Sequence, residues 1–152
     1  MSSEKLTFVT PFLQATKLIE KCYDQKTMRY LEPLPEGCPP DEADEITTER
    51  LVFRLVRTHP ATLDDFRSQR AEKPDAVFKG ITECQARGLS VHTERRDCTK
   101  LLKLPRLRTM IVATLRLVAP AGRLQKTFQP SHHTWWPLAD FDILAHCEMD
   151  AA

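Results

Sequence analysis

The sequence predicts an α+β fold: a small, mostly antiparallel twisted sheet with a few short helices, preceded by an N-terminal helical arm. Three observations predict it. Apolar residues recur at helical spacing over residues 11–30, prolines interrupt the chain over 32–46, and strand-like runs dominate from residue 47 onward. The 152 residues thus divide into an arm at 1–31, an acidic proline-rich linker at 32–46 and an α+β domain at 47–152.

The arm begins with Thr10 as N-cap and Pro11 in the first helical position. Phe12, Ala15, Thr16, Ile19, Cys22, Tyr23 and Tyr30 then fall near one face. In the linker, Pro33, Pro35, Pro39, Pro40 and Gly37 cannot continue a helix.

Within the domain, Leu51–Arg57 is rich in strand formers, and period-2 geometry places Val52, Arg54 and Val56 on one face. Thr62 followed by Asp65 reads as a capped helix start. A short strand is expected at Gly88–Thr93, with Leu89 and Val91 on one face and Ser90 and His92 on the other. Thr93 then caps a helix that runs to about Lys103 with Cys98, Leu101 and Leu102 inward, and Pro105 stops it. Met110–Val118 is apolar on nearly both faces, which suits an interior strand. Pro120, Ala121 and Gly122 form a turn from which Arg123–Phe128 pairs back, and Asp142–Met149 supplies a last strand.

Hydrophobic residues make up 41% and charged residues 28% of the chain, ordinary values for a globular protein. No apolar run reaches the roughly 20 residues that cross a bilayer, and Met1–Lys5 does not open a secretory signal. A cytoplasmic protein is the expectation. The five cysteines are widely spaced without a C-x-x-C pair, so a zinc ribbon or a dense disulfide framework is not expected, and most of the thiols are expected to be reduced. Charge is uneven: Glu32–Glu49 holds seven acids and no base, whereas Arg50–Arg108 holds fourteen Lys/Arg against seven Asp/Glu. An acidic segment before a basic body reads as a partly self-neutralised surface or as a body that meets an anion.

Four groups of residues carry candidate chemistry. Arg54, flanked by valines on an apolar face, needs either a carboxylate such as Asp140 or Asp142, or a ligand phosphate or carboxylate to grip. Ser90 and His92 project from one strand face, but without a third partner or a G-x-S-x-G motif they make no hydrolase triad. His132 and His133 are adjacent and point opposite ways in an extended chain, so they do not readily share a metal ion, and no metal is expected. Trp135 and Trp136, between Pro130 and Pro137, split into one core and one surface residue, the latter a platform for a flat ring.

Val52-Phe53-Arg54-Leu55-Val56, then Arg87-Gly88-Leu89-Ser90-Val91-His92-Thr93 and its following helix, then Ile111–Val118, resemble in order the ADP-ribosyltransferase superfold, closest to the RES-type toxins that consume NAD. The resemblance covers about two-thirds of the chain. It implies NAD as bound substrate, with Arg54 on its phosphates or ribose, Ser90 on the nicotinamide ribose, His92 among the NAD-binding residues and Trp135 stacked on a ring. His132 or His133 would then polarise or deprotonate the second substrate. The aromatic residue that the family carries on its Ser/Thr strand has no counterpart, and Gln129 and Glu148 are the candidates for its late Glu or Gln.

Two other readings stand beside it. An amphipathic arm (residues 11–30) ahead of an acidic linker is a layout for docking a protein partner or a second copy. The basic body, through Arg87, Arg95, Arg96, Lys100, Lys103, Arg106 and Arg108, could instead meet nucleic acid, without a recognised motif for it.

Overall fold

The computed structural model describes residues 28–150. Seven strands form one twisted sheet: β1 (Asp44–Glu45), β2 (Arg50–Val56), β3 (Leu89–His92), β4 (Ile111–Leu117), β5 (Arg123–Phe128), β6 (His132–Trp136) and β7 (Cys147–Met149). Their order is β1-β5-β6-β3-β2-β4-β7 and every neighbouring pair is antiparallel. The helices are short: α1 (Gln69–Glu72), α2 (Glu83–Ala86), α3 (Arg95–Lys100) and several single 3-10 turns. The α+β class expected from the sequence is the class observed.

Period-2 alternation builds the core. Cross-strand partners share a face, so Val52 opposite Leu115, Leu89 opposite Trp135, and Trp135 opposite Leu124 line one side of the sheet. Phe66, Ile46, Ala121 and Ile143 close over that side, and all are buried. The other side is covered in part by α3. There Cys98 and Asp97 are buried, and the Arg95 guanidinium lies 5.8 Å from the centre of the Phe53 ring. β4 is interior, between β2 and β7, as its two apolar faces predict.

Several expectations change. The helix expected over 11–30 lies outside the described residues except for its end, where Tyr30 instead forms a β-bridge with Leu138. Arg123–Phe128 does not pair back on β4; it lies between β1 and β6. The helix expected to reach Lys103 stops at Lys100, starts after Glu94 rather than Thr93, and passes into a 3-10 turn at Leu101–Lys103. Thr62 does open a helical turn, but a 3-10 one over Leu63–Phe66, with the Asp65 carboxylate accepting from the Thr62 N–H at 3.0 Å. The last strand shrinks to Cys147–Met149 behind a 3-10 turn at Leu144–His146.

Residues 32–46 are built into the domain as a strap. Prolines forbid a regular ladder but keep their carbonyls as acceptors. Arg87 Nη1 donates to the Pro33 carbonyl at 2.8 Å, and the Glu32 carboxylate accepts from both the N–H and the hydroxyl of Ser68. Ile46 sits in the core at 2% exposure. Cys38 is disulfide-bonded to Cys84, while Cys98 and Cys147 are free. The expectation of mainly reduced thiols therefore fails for this pair, whose 46-residue separation follows no motif spacing.

Candidate functional site

β2 and β3 share one residue pair, Phe53 opposite His92, and part beyond it. β2 continues along β4 through Val56, so the sheet splits on the side of Arg54 and Leu55. A cleft of about 190 Å³ opens at the split. Arg54, Ser90 and His92 line it together with Glu72, Cys98 and Met110. Gly88 forms part of its wall, and a Cβ there would fall 2.3 Å from Thr134 Cγ2, so only glycine lets this wall pack so closely on β6.

Arg54 organises the cleft. Period 2 keeps it on the face of Val52 and Val56, and its guanidinium reaches 5.8 Å from the centre of the Phe66 ring. Nε donates to the Asp65 carbonyl at 3.1 Å, Nη1 to the Ser90 carbonyl at 2.9 Å and Nη2 to the Arg67 carbonyl at 3.3 Å. A guanidinium has five N–H bonds, so two remain. Among the described residues no carboxylate is ion-paired with it, and Asp140 and Asp142 are not its partners. Burial lowers its pKa to about 10, with Glu72 and Asp65 opposing that shift from a distance. The group stays cationic near neutral pH.

Two carboxylates stand near the cation and differ in kind. Asp65 accepts from the Arg57 N–H at 2.7 Å, the Thr62 N–H at 3.0 Å and the Thr58 hydroxyl at 2.5 Å. Burial works against its charge, but these bonds outweigh it and hold the carboxyl below its usual range. It is a structural anchor for the turn that presents the Asp65 and Arg67 carbonyls. Glu72, at the end of α1, is exposed, lines the cleft and pairs with Arg57 at 2.8 Å.

The structure brings Arg54, Ser90 and His92 together and leaves the other sequence candidates outside the cleft. Ser90 is exposed and His92 is buried. Burial pushes the His92 pKa down and His133 adds to the shift, against the pull of Asp97. His132 stands behind it, opposite His92 in the β3–β6 register, with ring centres 5.3 Å apart. His132 Nδ1 shares a hydrogen bond with the Thr127 hydroxyl at 2.7 Å, and burial together with His92 and His133 lowers its pKa to about 4. His133 points to the other face, where Nδ1 donates to the Ser131 carbonyl at 2.9 Å.

Trp135 is a correction. It is fully buried and Nε1 donates to the Ala121 carbonyl at 2.8 Å, so its ring is not available to stack on a ligand. The His-Trp segment is strand β6, between β5 and β3 in the sheet, and Trp136 is buried as well, so neither tryptophan faces the surface. Trp136 Nε1 donates to the Cys84 carbonyl at 2.9 Å. Gln129 and Glu148 do not line the cleft.

Sequence reasoning missed Arg57, Ser68, Glu72 and Met110. The one available signal was period 2 at the end of β2, which carries Arg57 past the last paired residue. Of the seven cations of the basic body, Arg87 pairs with Glu83, Arg95 with Asp150, and Lys100 lies 3.8 Å from Asp97. Among the described residues no group of three or more His, Cys, Asp or Glu is placed to hold a metal ion, and no helix is long and apolar enough to cross a membrane.

No protein-family model, curated protein or solved structure matches this chain.

Proposed function

We propose that the cleft binds NAD and cleaves its nicotinamide–ribose bond in the manner of an ADP-ribosyltransferase or NAD glycohydrolase. One observation carries this reading: a half-buried cation, Arg54, at the split in the sheet with two free N–H bonds and no paired carboxylate among the described residues, in a cleft that Ser90 and His92 also line. A planar fork of this kind takes a phosphate oxygen pair. Its three carbonyl contacts hold the fork in place before the ligand arrives.

In this reading Arg54 takes a phosphate and the Ser90 hydroxyl binds the nicotinamide ribose. As the bond from ribose C1′ to the ring nitrogen breaks, its electron pair leaves with neutral nicotinamide and positive charge develops on the ribose. Glu72 is the exposed carboxylate of the cleft, bonded through one oxygen to Arg57, and an anion preorganised there stabilises that charge. Water or an acceptor hydroxyl then adds to C1′ and releases a proton. This assigns to Glu72 the acidic role that the sequence left to Gln129 or Glu148.

Saturation-transfer NMR with NAD, together with chromatographic measurement of released nicotinamide, tests the proposal. Binding by the native protein, lost in Arg54→Gln, is expected. Glu72→Gln should retain binding while turnover falls by about 10²-fold or more, the scale of losing one electrostatic stabiliser. No saturation transfer at millimolar NAD from folded protein overturns the reading.

A further inference from the structure

We infer that the cleft continues into a second anion subsite, built on Arg106, that selects a dinucleotide phosphorylated on its adenosine 2′-hydroxyl over the unphosphorylated form. The inference rests on the dinucleotide reading above.

The Arg54 cleft, at about 190 Å³, is smaller than the roughly 300–1,000 Å³ of typical small-molecule sites, so a dinucleotide seated on Arg54 must extend beyond it. The adjoining space is a second hollow of about 330 Å³ lined by Arg57, Arg106, Leu107, Thr109 and Met110. Arg57, Leu107 and Met110 line both hollows, so the two adjoin at these residues.

The lining of the second hollow states its preference. Leu107 and Met110 offer an apolar ledge for a base or a sugar. The polar groups are two guanidiniums and the Thr109 hydroxyl, and no carboxylate is among them. In doubly wound dinucleotide folds an acid takes the free ribose 2′-hydroxyl and an arginine accommodates a 2′-phosphate, and a guanidinium fork suits a phosphate in any fold. Arg57 is partly neutralised by Glu72 at 2.8 Å. Arg106, exposed on the 3-10 turn Pro105–Leu107, has no ion-pair partner among the described residues. Pro105 fixes the start of that turn, and the Leu107 N–H bonds back to the Leu104 carbonyl at 2.9 Å, so the arginine stands on a short, constrained support.

Isothermal titration of the native protein and of Arg106→Ala with NAD and with NADP tests the inference. The native protein should bind NADP about tenfold or more tighter than NAD, the worth of one hydrogen-bonded charge contact. Arg106→Ala should bring that ratio near one while leaving NAD affinity unchanged, and Arg106→Lys should restore part of it. Equal affinities in the native protein overturn the subsite alone, as does an Arg106→Ala variant that weakens both ligands alike. Silence of both dinucleotides overturns the dinucleotide reading and the subsite with it. Arg106 is exposed, so its loss leaves the core intact.

Discussion

Nη1 of Arg54 donates to the carbonyl of Ser90 at 2.9 Å, across the split where β2 and β3 part. A side chain here stands in for the backbone ladder. The same fork holds the carbonyls of Asp65 and Arg67, so one residue joins β2, β3 and the turn around Phe66. Arg54→Lys keeps the charge and loses the fork. We expect it to lower stability by roughly 2–4 kcal/mol in urea denaturation, because several bonds to a charged group go at once. A variant with the native denaturation midpoint would show that the fork does not hold the split together.

Asp65 ties Arg57, Thr58 and Thr62 to one carboxylate. Its folded pKa lies below the ordinary value of about 3.9. A depressed carboxyl stabilises the fold above its unfolded pKa, and that stability is lost as pH falls through the folded pKa. Asp65→Asn should therefore cost about 1–3 kcal/mol at neutral pH and flatten the acid limb below pH ~4. Unfolding midpoints measured from neutral pH downward check both effects; an acid limb as steep as that of the native protein would count against the assignment.

His132 gives a second pH window. Burial first, then His92 and His133, bring its pKa to about 4, whereas the unfolded chain titrates near 6.5. The unfolded state takes up the proton first, so the stability from this site is complete above pH ~6.5 and is lost as pH falls toward the folded value. Denaturation midpoints should drop between neutral pH and pH ~4.5 in the native protein, and should drop less in His132→Gln. Identical slopes in the two proteins would remove His132 as the source.

Gly88 and Thr134 meet at the cleft wall. Gly88→Ala places a Cβ 2.3 Å from Thr134 Cγ2 and 3.0 Å from Trp136 Nε1. Overpacking of this kind costs about 1–3 kcal/mol. Thr134→Ser deletes the clashing methyl, so the double variant should be more stable than the sum of the two single changes predicts. Additive losses in a thermal denaturation cycle would show that strand movement, not the methyl, absorbs the strain.

Much of the sheet was legible because alternation is a local signal. Leu51–Arg57 and Met110–Val118 overlap β2 and β4 to within a residue at each end, and the Ser90–His92 face is the one that borders the cleft. Pairing was not legible, because which strand lies beside which is decided between residues far apart. Arg123–Phe128 sits between β1 and β6 although the turn before it points back to β4. One tryptophan of the pair read as a surface platform, and the resemblance put Trp135 on a ligand ring, yet Thr134, Trp135 and Trp136 are all buried, so both faces of the C-terminal half of β6 are covered. Ser68, a helix N-cap, Glu72, the end of that helix, and Met110, just before β4, carry no local signal of a site and gain meaning only when the fold gathers them around Arg54.

The Cys38–Cys84 bond closes a covalent ring through the chain, and that ring contains Arg54, Asp65 and Glu72. A peptide cut anywhere inside it, for instance in the exposed stretch at Lys73–Asp75, opens the backbone without dividing the molecule. The nicked protein keeps every cleft residue on one covalent body, and two fragments separate only after the sulfurs are parted.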